Sequence, residues 1–138
     1  MSQVKQHPKI YFFLVAILML SVGCLQRSYG ANLIGYNHTK DSIASYSVKI
    51  GDGQFTGAGF LGAGSGGGGM TCCIQIPTKW TSRTEATVKF EDPKRADSII
   101  VKRVLVPQYS DDTAGHVIVH FLADGNVKVF VTKYIRPP

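Results

Sequence analysis

Acidic side chains are scarce in this 138-residue chain: nine aspartates and glutamates face fifteen lysines and arginines, a formal charge of +6. No two carboxylates sit on apolar strands as a general acid–base pair would. Asp111 and Asp112 fall in a turn, which they cap or solvate. No serine lies in a nucleophile-elbow pattern, and no histidine–glutamate metal motif occurs. These gaps leave nothing that recommends an enzyme, and no cofactor is expected. The basic excess is scattered over Lys49, Lys79, Arg83, Lys89, Lys102, Arg103, Lys128 and Lys133, without a basic run or interleaved aromatics, so nucleic-acid binding is a poor reading. Cysteine is limited to Cys24, Cys72 and Cys73, which provide no second pair for a structural zinc site. An apolar run long enough to span a bilayer is missing too. Ile10–Leu20 has eleven residues, where a spanning helix needs about 20.

What that short run does resemble is a secretory signal. Lys5, His7 and Lys9 precede it, and the small residues Ser21, Gly23 and Cys24 follow. Leu20-Ser-Val-Gly-Cys24 resembles a bacterial lipobox, in which the cysteine is acylated and becomes the mature N-terminus; Ser21 stands where leucine is commoner. The competing reading is ordinary cleavage after Gly30, which would release a soluble periplasmic protein. With Cys24 lipidated, Leu25 in the next position implies sorting to the periplasmic side of the outer membrane. The expected organisation is therefore a signal peptide over 1–23, a lipidated cysteine and tether over 24–31, and one domain over 32–138. Without Lys5 and Lys9, thirteen basic residues face nine acidic ones, a balance of about +4. Such a surface favours an acidic protein partner or anionic lipid.

The domain reads as strands. Tyr46, Val48 and Ile50 alternate with Ser45, Ser47 and Lys49. The turn chemistry of His38–Ser42 predicts a hairpin between that strand and Asn32–Asn37. Residues 51–69 hold ten of the fifteen glycines. Gly57-Ala-Gly-Phe-Leu-Gly62 fits a dinucleotide fingerprint literally, but more glycine follows where the helix would have to start. A loop is expected there, with Phe55, Phe60 and Leu61 pinning parts of it. Gly66–Gly69 then runs into a strand over Thr71–Ile76, expected to be central. Alternation there directs Cys72 inward with Ile74 and Ile76, and Cys73 outward. Two free structural thiols are expected, with a vicinal disulfide as the alternative. Pro77 and Trp80 close the strand, Trp80 as an anchor.

Further strands are expected over Ala86–Glu91 and Ser98–Val106. The segments His116–Ala123 and Asn126–Tyr134 flank Asp124-Gly125, a pair suited to a type I′ hairpin. That turn would put Ile118, His120 and Leu122 on the face of Val127, Val129 and Val131, with Val117, Val119 and Phe121 opposite. Both faces being apolar, the hairpin should lie mid-fold. His116 and His120 project the same way, and a structural histidine is favoured over a metal ligand at His120 because no third ligand is spaced to help. The fold class is all-β: an antiparallel sandwich or strongly curled sheet of about seven strands.

Taken together, Cys24 in its lipobox, Gly66–Gly69 leading into Cys72-Cys73, Pro77-x-Lys79-Trp80, and His120-Phe121 before the Asp124-Gly125 turn resemble a family of small proteobacterial lipoproteins of unknown function. The resemblance covers about Leu33 to Val131. It implies an immunity protein associated with type VI secretion: a periplasmic lipoprotein that binds and neutralises a lipase or phospholipase effector. Gly66, Gly67, Gly68, Gly69, Lys79 and Trp80 would then form the partner-binding surface. The alternatives are an accessory envelope lipoprotein that inhibits nothing, and a thiol-dependent protein acting through Cys73.

Overall fold

The computed structural model describes residues 27–66 and 70–135. The signal segment, Cys24 and Gly67–Gly69 lie outside the described residues. Eight strands follow one another: β1 (Ser28–Asn37), β2 (Tyr46–Ile50), β3 (Thr56–Ala58), β4 (Thr71–Pro77), β5 (Glu85–Glu91), β6 (Ile99–Leu105), β7 (His116–Phe121) and β8 (Val127–Thr132). They form two four-stranded sheets, β4-β1-β7-β8 and β3-β2-β5-β6. Every pairing is antiparallel except β1 with β7. Among the described residues no helix is long and apolar enough to cross a membrane.

The alternation that marks these strands is what builds the core between the sheets. Tyr46, Val48 and Ile50 are all buried, as are Ala86, Val88 and Phe90 opposite them on β5. From the other sheet come Leu33, Ile74, Ile76, Val117, Val119 and Val129. Phe121 sits at the centre, edge-on to Tyr46 at 5.3 Å and to Phe90 at 5.1 Å between ring centroids. Gly35 faces this core at a point of close approach. A Cβ there would lie 2.5 Å from the Tyr46 hydroxyl and 2.7 Å from Leu61 Cδ1. Only glycine lets that phenol in.

Several sequence expectations change. β1 and β2 are not a hairpin: they belong to different sheets, and the His38–Ser42 segment crosses the sandwich. Its backbone is tied down by the Asn37 side chain, and by His38 N–H, which donates to the Phe121 carbonyl at 2.8 Å. β1 also begins at Ser28, inside the expected tether, because Ser28–Ala31 pair with Pro77–Ile74. The strand carrying the cysteines is an edge, not a centre, and its alternation breaks where Asn32 pairs with Cys72 after Ala31 has paired with Ile74. Cys73 is the extra residue of a β-bulge. Cys72 and Cys73 are consequently both exposed, and they are joined by a cis peptide and a vicinal disulfide instead of being free thiols.

The β7–β8 hairpin forms, but its register is one residue from the expected one. Gly125 N–H donates to the Leu122 carbonyl at 3.0 Å, and Gly125 takes a positive φ of 82°. That is the geometry of a type I turn followed by a bulge. Phe121 therefore pairs with Val127, Val119 with Val129 and Val117 with Val131. These six share the inner face, while Ile118, His120, Lys128 and Phe130 belong to the outer one. β7 is interior in its sheet and β8 an edge. The short β3, inside the glycine-rich stretch, has no counterpart in the sequence reading.

Candidate partner-binding surface

Of the two sheets, β3-β2-β5-β6 leaves one long strand open. In the β5–β6 ladder, Val106 N–H donates to the Thr84 carbonyl at 2.9 Å and Asp92 N–H to the Ser98 carbonyl at 2.8 Å. These bonds set the phase of an antiparallel pair in which even-numbered β6 residues turn their backbone toward β5. The N–H and C=O groups of Ile99, Val101, Arg103 and Leu105 then point to the free edge. Their side chains stand on the outer face of the sheet, with Ile99 57%, Val101 51% and Leu105 66% exposed. Four of the seven residues of this regular strand thus present unpaired backbone, three of them with large aliphatic side chains.

Two of the other edges are blunted. β3 is only three residues long. β4 carries the Cys72–Cys73 bulge and ends on Pro77. Such devices are how sheets avoid unwanted pairing. β8 and β6 have neither bulge nor proline, and both carry cations, Lys128 on β8 and Lys102 and Arg103 on β6. They differ in what they expose: β8 buries Val127, Val129 and Val131, whereas β6 leaves Ile99, Val101 and Leu105 exposed.

Cations accompany the aliphatics. Arg103 is exposed between Val101 and Leu105, and Lys102 is half-buried on the inner side. On the same outer face the Lys89 ammonium lies 4.2 Å above the Phe55 ring, with Lys49 at 5.4 Å from it. Both distances suit attraction between a cation and the face of a ring. Beside the inner side of β6, a cleft of about 330 Å³ opens between the β5–β6 and β7–β8 turns. Ile43, Phe90, Ile100, Phe121 and Val127 line it, with Lys94 and Lys102. Two carboxylates border it as well. Asp92 is already engaged by the Lys94 N–H at 2.9 Å and the Arg95 guanidinium at 3.6 Å, whereas among the described residues the Asp41 carboxylate has no such partner.

The residues expected from sequence to form the binding surface fall elsewhere and apart. Gly66 bridges to Tyr36 on the outside of the other sheet, where a Cβ would lie 2.7 Å from the Tyr36 Cα. Lys79 is exposed, but Trp80 is an anchor: its indole N–H donates to the Val106 carbonyl at 2.9 Å and its ring packs on the core. Gly66 precedes β4 and Trp80 follows it, at opposite ends of a strand about 20 Å long at roughly 3.3 Å per residue.

Two groups organise this end of the sheet: Asn37, which was not read from the sequence, and His120, expected as a structural histidine but without its partner. Asn37, 1% exposed, donates from Nδ2 to the carbonyls of Asp41 at 2.8 Å and Gly62 at 3.0 Å, and accepts at Oδ1 from Thr39 N–H and Oγ1. One buried amide therefore clips the crossover segment and the glycine-rich loop to the end of β1. His120 pairs not with His116 but with His38, Nδ1 to Nε2 at 2.9 Å, and stacks on Tyr36. Burial first, then His38 and Lys128, hold its pKa below the ordinary histidine value. Among the described residues no three histidine, cysteine or carboxylate groups converge as a metal site.

A family model described as a protein of unknown function, DUF3304, matches residues 36–129. No curated protein matches the chain. An NMR structure of a protein from Eubacterium rectale is similar, at 14% identity and a TM-score of 0.46, over 74% of this chain and 87% of that one.

Proposed function

The chain belongs to the DUF3304 family, and from that premise we propose that it works as a binding module: a lipid-anchored periplasmic protein that holds a type VI secretion lipase or phospholipase effector inactive. The observation that carries this reading is β6, a regular open strand with Ile99, Val101 and Leu105 exposed beside Arg103. Isolated exposed aliphatics are ordinary, but three on one unpaired strand form a surface that a partner would cover. The resemblance of the glycine run, Cys72-Cys73 and Pro77-x-Lys79-Trp80 to lipoproteins associated with such effectors supplies the kind of partner.

Anchoring through Cys24 is supported by β1. Ser28–Gly30 pair with Pro77–Gln75, so processing after Gly30 would remove three ladder positions, whereas processing at Cys24 leaves the strand whole. Binding an effector requires a rigid scaffold more than a catalytic group, and a two-sheet sandwich with one shared core provides it. The test is co-expression of the tagged chain with the lipase effector of a type VI cluster. The proposal expects a stable one-to-one complex and loss of lipase activity in it. An effector that stays active and does not co-purify overturns the proposal.

A further inference from the structure

We infer that β6 takes an extended, acidic-aliphatic segment of a partner protein as an additional antiparallel or parallel strand. This rests on the binding-module reading and specifies its contact. Three features of the edge converge. The outward N–H and C=O groups of Ile99, Val101, Arg103 and Leu105 are a ready ladder, and among the described residues no strand occupies it. A strand laid there alternates its side chains between two environments. Those on the outer side meet Ile99, Val101 and Leu105. Those on the inner side turn toward the cleft that Ile100, Phe90, Phe121 and Val127 line, with Lys102 beside it.

Charge selects the occupant. Lys102 on one side and Arg103 on the other would face a strand bearing carboxylates on either face, and the mature chain is at about +4. Glu85 and Glu91 stand beside Leu105 and Ile99 at the two ends of the outer face, so the attraction centres on the middle of β6. A second copy suits this edge less well. Antiparallel self-pairing that uses all seven residues of β6 centres on Lys102, placing two lysines directly opposite each other. Like charges opposed across strands destabilise the pairing. It would also bring together two chains of the same net sign.

The test uses the soluble domain from Arg27 onward only as a comparison; the primary sample is the full mature chain in detergent. The probe is a capped seven-residue peptide alternating valine and glutamate, with a valine–lysine peptide as control. Amide exchange is followed by NMR. The inference expects the amides of Ile99, Val101, Arg103 and Leu105 to exchange at least about tenfold more slowly with saturating glutamate peptide, and to be unaffected by the lysine peptide. Val101→Pro should abolish the protection while leaving the β5 ladder, because that N–H faces the open edge. If this variant does not fold, Val101→Glu should weaken binding of the glutamate peptide instead, because it removes an aliphatic contact and adds a like charge. No added protection at millimolar peptide, or equal protection by both peptides, overturns the inference. So does sedimentation showing a dimer that Val101→Lys dissolves, because the edge then belongs to a second copy. An effector complex that survives Val101→Glu undiminished leaves the binding function standing and removes β6 from it. Peptide protection without any effector complex does the reverse.

Discussion

Replacing Asn37 by aspartate changes one group in one buried side chain and tests how the crossover and glycine-rich loop are held. The acceptor half of the interaction survives, since a carboxylate oxygen can still receive the Thr39 N–H at 3.0 Å and its hydroxyl at 2.8 Å. The donor half does not. The carbonyls of Asp41 and Gly62, now 2.8 and 3.0 Å from an amide nitrogen, would face a negatively charged oxygen. The carbonyls belong to an exposed residue, Asp41, and a half-buried one, Gly62. Losing a donor therefore costs near the lower end of about 1–3 kcal/mol each, and the charge buried at position 37 adds to that. A total of roughly 3–5 kcal/mol is a large share of a domain stability of about 5–15 kcal/mol. With a urea slope of about 1.5 kcal/mol/M, the midpoint should fall by roughly 2–3 M. The pH dependence carries the sign of the argument. Burial among carbonyls raises the introduced carboxyl's pKa in the folded state, so the defect is greatest where the unfolded chain is ionised and shrinks as acid restores a proton to donate. Urea melts at several pH values decide the matter. A midpoint drop below about 0.3 M, or a defect independent of pH, would refute this account of Asn37.

Gly66→Ala should cost about 1–3 kcal/mol. The new methyl meets the Tyr36 backbone and the loop must lift, which thermal melts report. Acidification should destabilise the fold through His120. Its folded pKa is depressed, so the unfolded chain binds more protons as pH drops through about 6.5, and stability falls with it. His38 and Lys128 face this ring along with Tyr36, Phe130 and Tyr134, and His120→Gln should flatten the acid limb of a stability–pH curve. At the alkaline end Tyr46 and Tyr109 are pushed up to about 12 by burial, so the unfolded chain ionises first from about 10, and stability should decline across that interval. Trp80→Phe leaves the Val106 carbonyl without the indole donor. Chemical denaturation should show a loss of about 1–2 kcal/mol for that missing hydrogen bond.

Much of the fold was legible because period-two alternation is a local signal. Tyr46-x-Val48-x-Ile50 and Val88-x-Phe90 point inward where the pattern puts them. Pairing partners are another matter. The His38–Ser42 segment has hairpin composition, yet the segment crosses the sandwich because Asn37 bonds backbone groups up to twenty-five residues away. Asp124-Gly125 suits a type I′ turn, but it also suits a type I turn with a bulge, and that one residue decided whether Val117 or Ile118 faces the core. At Cys72-Cys73 a bulge set the side-chain directions, which alternation cannot anticipate.

The candidate surface was illegible for a related reason. In Ser98–Val106 both phases of the alternation are apolar: Ile99, Val101 and Leu105 in one, Ile100 and Val104 in the other. Periodicity then cannot choose the buried face, and only the strand order reveals that β6 is an edge. The consecutive Lys102 and Arg103, one for each face, were the available hint that neither side is fully enclosed. The glycines and Trp80 drew notice as composition outliers, and the structure gives Trp80 a packing task and Gly66 a place of close approach.

The most direct measurement is amide hydrogen exchange of the full mature chain, free and in complex with the lipase effector. The account predicts that Ile99, Val101, Arg103 and Leu105 exchange readily in the free chain and become protected together in the complex. A complex that forms with those four amides as exposed as before would contradict it.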